Sequence, residues 1–260
     1  MKSAQPIRLS RHADGAEKFP LICTPLVGRS AQQLLSEVQL VLAKKPDLLE
    51  WRVDFFQDIE QTDAVLALAA QIRQAAGNTP LLFTRRCQRE GGEPIVLGED
   101  KVLALYGAVC GSGLVDCVDF EMSNDPTHIR QLREVSRAHQ VQLILSFHDF
   151  QATPTLDELN ARFLQAQRLG ADIAKVAVMP QRLEDVLTLL SATLQSSRTL
   201  DIALISMSMG AWGSLSRLFG SAFGSALTFA VGASSSAPGQ VPIEDLRAVL
   251  NVVHKLLPPR

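Results

Sequence analysis

Eight short apolar runs recur along the chain at nearly even spacing, and this alternation constrains the fold more than any other feature. Runs rich in Leu, Ile and Val that lack polar alternation are typical of buried parallel strands. Each is six to eight residues long: Leu21–Val27, Leu48–Val53, Leu81–Arg86, Leu114–Glu121, Val141–His148, Ile173–Val178, Ile202–Met207 and Ala226–Val231. The sequence therefore predicts eight buried strands.

The segments between these runs carry helical signals. The sixth has one apolar stripe at i, i+3, i+4, i+7 and i+11, formed by Leu183, Val186, Leu187, Leu190 and Leu194. In the fifth, Thr153 is predicted as the N-cap, Pro154 as the first helical residue and Gly170 as the residue just past the end. Strands and helices are thus expected to alternate.

Eight strand–helix units with no Pro- or Ser-rich linker between them predict a parallel α/β architecture. The turn after the first strand, residues 25–29, lacks the spaced glycines of a dinucleotide-binding open sheet. A closed (β/α)₈ TIM barrel is therefore favoured. We expect residues 1–260 to form a single barrel domain, with residues 1–19 as an N-terminal extension, either a small hairpin or a cap at one end of the barrel.

Composition narrows the function classes. The formal net charge is -2 and the pI about 6.2, so no basic surface is expected for nucleic acid or an anionic membrane. No apolar stretch reaches the roughly 18 residues of a membrane span, and residues 1–18 lack an apolar signal core. A cytoplasmic location is predicted. Four sparse cysteines predict reduced thiols, and no metal site is indicated.

Charged residues collect where the predicted strands end, which is where barrel enzymes place their active sites. The two-residue period of a strand puts Glu50 and Arg52 on one face. Other such residues are Arg85, Arg86, Asp119, Glu121, His148, Asp149 and Lys175. One polar mouth is therefore expected.

Lys175 is the most informative of these residues, because an ammonium inside an apolar run must be either desolvated or paired. A desolvated lysine can attack a carbonyl, whereas a paired one could simply neutralise a carboxylate such as Glu121. His148 on the adjacent strand favours the first interpretation, since an imidazole beside an amine nucleophile can transfer the protons of Schiff-base chemistry. The remaining histidines are predicted to be solvated or packed: His12, His128, His139 and His254.

Several motifs in this order resemble one family. They are Glu50-Trp51-Arg52-Val53-Asp54, Phe83-Thr84-Arg85-Arg86, Glu90-Gly91-Gly92-Glu93, Ser146-Phe147-His148-Asp149-Phe150, residues 170–177 around Lys175, Met207-Ser208-Met209, Ser216-Arg217 and residues 236–240. With these motifs the chain resembles the type I 3-dehydroquinate dehydratases of the shikimate pathway, from about residue 20 to residue 254. The resemblance implies a hydro-lyase that is a homodimer, acts on 3-dehydroquinate and needs no cofactor.

The resemblance also implies roles for particular residues. Lys175 would form an imine with the C3 ketone of the substrate, and His148 would be the general acid/base, positioned and tuned by Glu50. Arg52 and Arg86 would contact the ring hydroxyls. Substrate binding would be completed by Arg217 on the carboxylate and by Ser236 and Gln240 in a loop that closes over the site.

Some alternatives remain at this point. A Schiff-base aldolase or transaldolase barrel would share the lysine and the fold, and a ligand-binding barrel without activity would share the pocket. Arg85 could face the mouth in place of Arg86, and Arg217 could be a solvated helix residue. Trp212 could narrow the site or pack against a second subunit.

Overall fold

The protein is described by a computed structural model that covers residues 4–9, 18–234 and 236–256. Eight parallel strands form its sheet: β1 Leu21–Leu26, β2 Leu48–Arg52, β3 Leu81–Thr84, β4 Cys117–Glu121, β5 Gln142–Asp149, β6 Ile173–Val178, β7 Ala203–Ser208 and β8 Leu227–Val231. A two-residue strand, β9 Val241–Pro242, pairs with β8. Every predicted run coincides with a strand, and the ends differ by at most three residues.

Helices follow the strands in strict alternation. They are α1 Ala31–Ala43, α2 Thr62–Ala76, α3 Glu99–Gly111, α4 Pro126–Ala138, α5 Leu156–Arg168, α6 Leu183–Ser197, α7 Gly210–Phe219 and α8 Ile243–Leu256. Short 3-10 helices span Val53–Phe55, Gln88–Glu90 and Gly220–Phe223. Among the described residues, no helix is long and apolar enough to cross a membrane.

The sheet closes on itself. β1 pairs with both β2 and β8, and the strands from β1 to β7 follow one another in chain order. β7 and β8 meet through a single parallel bridge, Leu204 with Ser225, where Ala226 N donates to Leu204 O at 2.7 Å. The predicted (β/α)₈ barrel is confirmed.

Alternation along each strand divides the core into two layers. Outward residues of β2, β3 and β4 meet the helices through edge-to-face contacts that run Trp51, Phe83, Tyr106 and Phe120. Inward residues such as Leu48, Leu82, Ile144, Ile173 and Ile205 fill the barrel interior. Ile7 and Leu9 of the N-terminal segment pack against this interior cluster, while residues 10–17 lie outside the described part of the chain.

The predicted start of the fifth helix is wrong by two residues. Thr155 is the N-cap, and it forms a capping box in which Glu158 N donates to Thr155 Oγ1 and Thr155 N donates to Glu158 Oε2 at 2.9 Å. Thr153 instead donates its hydroxyl to Met179 O at 3.1 Å. A reciprocal cap satisfies two backbone donors, which a start at Thr153 could not do because its N3 residue would be Leu156.

The predicted apolar face of α6 is also wrong in part. Val186 and Leu190 are buried as expected, but Leu183 and Leu187 are 41% and 57% exposed. The buried stripe continues instead through Leu189 and is completed by Thr193. This leucine-rich helix has two overlapping stripes of helical period, and only packing against the barrel selects between them.

Candidate active site

All eight predicted site residues line one cavity at the carboxyl ends of the strands: Glu50, Arg52, Arg86, His148, Lys175, Arg217, Ser236 and Gln240. The cavity wall is completed by the apolar side chains of Met207, Met209 and Phe229, and by Glu90, Gly91 and Phe150 of the quoted motifs. Five strands, helix α7 and the loops that follow the strands thus place cations, carboxylates and apolar side chains around one space.

Lys175 lines this cavity with its side chain 5% exposed. Its Nζ is 2.8 Å from Asp119 Oδ2 and 3.7 Å from Glu50 Oε1, and it stands 4.6 Å from the centre of the Phe229 ring. The pairing with Glu121 considered from the sequence is absent, because Glu121 accepts from Arg86 Nη1 at 2.9 Å. The amine is thus paired and buried, and it borders the space a ligand would occupy.

Arg86 holds two carboxylates beneath the cavity. Its guanidinium is 2.8 Å from Asp119 Oδ1 and donates to Glu121, and it also donates to Ser146 Oγ at 2.8 Å. Burial alone would lower the pKa of Arg86, but the two carboxylates outweigh burial and raise it well above its ordinary value. Burial would likewise raise the pKa of Asp119, whereas Arg86 and Lys175 together lower it. Asp119 is therefore a fixed anion beside the amine.

Arg85 lies on the other face of the strand end. Its Nη2 pairs with Glu99, and its backbone N donates to Tyr106 Oη at 2.8 Å. Thr84 points inward and donates to Glu50 Oε1 at 3.0 Å, so the alternation of an extended chain turns Arg85 outward and Arg86 inward. Of the two arginines, Arg86 is the one that lines the cavity.

The carboxylate beside His148 is Glu90, whereas the sequence analysis had assigned Glu50 to this contact. Glu90 Oε2 is 2.9 Å from His148 Nδ1 and accepts from His148 N at 3.0 Å, while Ser123 Oγ donates to Glu90 Oε1 at 2.6 Å. Glu50 has its described contacts with Thr84 and Lys175. Glu90 follows β3 in a 3-10 helix, where no strand or helix period predicts direction, so only its place in a quoted motif could have indicated it.

Burial changes the charge states of this pair. It raises the pKa of Glu90 from 4.5 to about 7. Burial, reinforced by the positive charges of Arg86 and Lys175, lowers the pKa of His148 well below its ordinary value. His148 is therefore a neutral imidazole at pH 7, and with Nδ1 held by Glu90 its Nε2 is the nitrogen available to a ligand.

Arg217 is buried on α7, contrary to its alternative interpretation as a solvated helix residue. Its guanidinium contacts Met207 Sδ at 3.5 Å and donates to Pro238 O at 3.3 Å. It has no carboxylate partner within the described ranges of the chain, and burial lowers its pKa to about 10. A buried guanidinium with such neutral neighbours is suited to bind an anion. Trp212, on the same helix, is 55% exposed and does not line the cavity.

The loop after β8 covers part of the cavity. Ser236 N donates to Gln240 Oε1 at 3.0 Å, and Gln240 Nε2 donates to Ser236 Oγ at 3.3 Å. Pro238 O accepts from Gly210 N at 3.3 Å, which ties this loop to the start of α7. Gly239, with φ of 75°, lies so close to Gly210 that a side chain would collide with its carbonyl group. Ser235 lies outside the described residues.

Fold and site together define a (β/α)₈-barrel enzyme that acts on a small molecule at the carboxyl ends of its strands. A sequence model of type I 3-dehydroquinase matches residues 22–257. The chain belongs to this family, whose members are hydro-lyases.

Similar proteins agree along the whole chain. A 3-dehydroquinate dehydratase of Albidiferax ferrireducens is 56% identical over 99% of this chain and 97% of its own. The crystal structure of 3-dehydroquinate dehydratase from Geobacillus kaustophilus has a TM-score of 0.95 at 47% identity and covers 98% of this chain and 99% of its own. A type I enzyme from Clostridium difficile, solved with covalent modified comenic acid, has a TM-score of 0.92 at 36% identity over 98% and 99% of the two chains.

Proposed function

We propose that this chain dehydrates 3-dehydroquinate to 3-dehydroshikimate in the shikimate pathway, through an imine on Lys175. The observation that carries the proposal is the placement around one cavity of the buried Lys175 amine, a neutral His148 and a buried Arg217 that has no carboxylate partner among the described residues. The relatives named 3-dehydroquinate dehydratase support the substrate. The covalent modified ligand of the Clostridium difficile enzyme supports covalent chemistry in this family.

The first step joins Lys175 to the substrate. The Lys175 ammonium gives up one proton and its amine attacks the C3 ketone; a proton returns to the carbinolamine hydroxyl, which leaves as water, and a protonated imine carries the original positive charge. Asp119, 2.8 Å from Nζ, stabilises the positive charge before and after this step. Glu50, 3.7 Å from Nζ, is proposed to orient this amine and not His148.

His148 then performs both proton transfers. The iminium acts as an electron sink, so Nε2 of the neutral imidazole can remove the C2 proton and leave an enamine. The imidazolium next protonates the C1 hydroxyl, which leaves as water while the enamine electrons form the conjugated double bond. Glu90 stabilises the imidazolium between these steps through Nδ1. Hydrolysis of the iminium releases the product and restores Lys175, so we propose that no metal or organic cofactor takes part.

Five further residues are proposed to hold the substrate. Arg217 binds the carboxylate, because its buried fork can donate two parallel hydrogen bonds. Arg52 and Arg86 bind ring hydroxyls from the ends of β2 and β3. Ser236 and Gln240 close the loop after β8 over the ring and exclude water from the imine.

Two measurements test the function. The conjugated enone product should appear in a continuous ultraviolet assay with 3-dehydroquinate, and borohydride added during turnover should leave a mass adduct on Lys175. Turnover with an unmodified Lys175 would refute the imine. Cleavage of a sugar phosphate would favour the aldolase alternative, and binding without product would favour a non-catalytic barrel.

We also propose that the chain is a cytoplasmic homodimer. On α7, Trp212, Leu215 and Phe219 are exposed at i, i+3 and i+7, and Leu183 and Leu187 are exposed on α6, a helix that contacts α7. Several exposed large apolar side chains on neighbouring helices are typical of a protein interface. Light scattering should give twice the chain mass, and Leu215→Glu should shift the protein to monomer; a monomeric parent protein would contradict the proposal.

A further inference from the structure

Two acidic residues of the family motifs have no role in the chemistry described above. Asp54 ends the motif that begins at Glu50, and Glu93 ends the motif that begins at Glu90. The fold joins these two ends, since Glu93 N donates to Asp54 Oδ2 at 3.1 Å. Asp54 is 4% exposed, and a buried carboxylate outside the reaction needs a reason to be there.

Each oxygen of Asp54 accepts one hydrogen bond from Arg52 and one from the backbone. Oδ1 accepts from Arg52 Nε at 2.9 Å and from Arg86 N at 3.2 Å. Oδ2 accepts from Arg52 Nη2 at 2.7 Å and from Glu93 N. The bidentate pair with Arg52 fixes the plane of the guanidinium, and the two backbone bonds fix the segment that follows β3.

The backbone N–H groups at the two ends of the segment from residue 86 to residue 93 therefore both donate to the Asp54 carboxylate. Between them the chain turns tightly: Gly91 has φ of 84°, and a Cβ on Gly92 would lie 1.9 Å from Arg86 O. Glu90, which contacts His148 at 2.9 Å, lies inside this closed segment. Moving Asp54 would consequently move the partner of His148 as well as Arg52.

We propose that Asp54 is a positioning residue that aligns Arg52 for substrate and Glu90 for His148 at the same time. The proposal rests on the proposed function, because it assigns Asp54 to the geometry of that reaction. It couples binding and proton transfer: the loss of one carboxylate impairs both, although Asp54 touches neither substrate nor His148.

Asp54→Asn tests the coupling, with Asp116→Asn as the matched control. The asparagine keeps the size of the side chain but replaces one acceptor oxygen with a donor that faces donors. We expect KM to rise and kcat to fall, each by about 10- to 100-fold. The acid limb of the kcat/KM profile should move to lower pH, because a displaced Glu90 stabilises the imidazolium less. Asp116, buried at the opposite end of the barrel beside Arg73, should change neither KM nor the profile.

Several outcomes would overturn the proposal. One is that Asp54→Asn has the kinetic constants and pH profile of the parent. Another is that Asp54→Asn and the control Asp116→Asn differ only in their free energy of unfolding. In a double-mutant cycle with Arg52→Ala, fully additive effects on KM would remove the link to Arg52. If Asp54→Asn does not fold, Asp54→Glu retains the charge one methylene out of place, and unchanged kinetics in that variant would also refute the role. Failure of the proposed function is distinguishable, because the parent protein would then form no product.

Discussion

The two ends of the barrel use the same kinds of charged side chain in opposite ways. At the amino ends of the strands, three aspartates precede β2, β4 and β6 and form ion pairs: Asp47 with Lys18, Asp116 with Arg73 and Asp172 with Arg133. Each also accepts a backbone N–H from the start of the neighbouring strand, at Ile22, Leu81 and Leu143 respectively. These carboxylates satisfy local donors and stabilise the fold.

At the carboxyl ends, charges share partners. Arg86 forms ion pairs with Asp119 and Glu121, and Asp119 also pairs with Lys175. Arg217 instead contacts neutral groups such as Met207 Sδ. Burial raises the pKa of Glu90 and lowers the pKa of Arg217, so it favours the neutral form of each side chain. Keeping either group ionised at this site therefore costs folding free energy. The comparison teaches that charges at one end of the barrel are paired for stability, whereas those at the other end are arranged as the proposed binding and proton transfer require.

Lys175→Ala should have the largest effect. Without the amine no imine forms, and dehydration should fall by about 10⁴-fold or more. The ultraviolet assay measures the loss, and the borohydride adduct should disappear. Lys101→Ala, on an exposed turn of α3, is the control and should retain full activity. A Lys175→Ala enzyme within tenfold of the parent would be incompatible with the mechanism.

His148→Ala should lower kcat by about 10²- to 10⁴-fold, because it removes the proposed general acid/base. Imine formation should be retained in part, so borohydride should still trap substrate on Lys175. Mass spectrometry of the trapped variant checks this separation of steps. His139→Ala, at the end of α4, should behave like the parent, and normal turnover in His148→Ala would exclude the assigned role.

Arg217→Met should raise KM by about 100-fold with a smaller change in kcat, since the lost contact binds ground state and transition state alike. It should also increase the free energy of unfolding by about 1 kcal/mol, because an apolar side chain replaces a buried charge. Substrate titration and urea denaturation measure the two effects. An unchanged KM would mean that the carboxylate binds elsewhere.

Glu90→Gln should act on kcat and on the pH dependence of stability. The folded-state pKa of about 7 exceeds the unfolded value near 4.5, so the native state keeps a proton that the unfolded state has lost. Stability from this group is therefore present below about pH 4.5 and declines as the pH rises to 7. Glutamine removes this decline, which amounts to about 3 kcal/mol for a shift of this size.

Urea denaturation from pH 5 to pH 8 checks the prediction. The variant should gain stability relative to the parent as the pH rises, while kcat falls about tenfold because a neutral amide stabilises the imidazolium less. The exposed Glu60→Gln should follow the parent at every pH. If the free energies of unfolding of Glu90→Gln and the parent differed by the same amount at every pH, burial would not have raised the pKa of Glu90.

Asp116→Asn should have the smallest effect on activity. It weakens the pair with Arg73 and the hydrogen bond from Leu81 N, so the free energy of unfolding should fall by about 1 to 3 kcal/mol. Because the site lies at the opposite end of the barrel, kcat/KM should be unchanged. A kinetic effect equal to that of Glu90→Gln would break the division between the two ends.

Much of the fold and part of the site could be predicted from residue order. Parallel strands buried on both faces are continuous apolar runs, so β6 was predicted at its observed bounds and the barrel followed from the number of runs. The same alternation placed Glu50 and Arg52 on one face of β2, since a strand repeats every two residues, and both line the cavity. Thr153 and the stripe of α6 were placed wrongly because neighbouring residues offered equally good local patterns.

The amino-acid sequence by itself determined the alternating strands and helices and the set of charged residues at the strand ends. Both depend on local periodicity and on the chain direction of parallel strands. Tertiary structure alone decided that Glu90 and not Glu50 contacts His148, and that Arg217 is buried. It also decided that Asp54 accepts a hydrogen bond from Glu93 N, 39 residues further along the chain, and so links two motifs. These contacts depend on loops without a period and on barrel closure, which brings distant residues together.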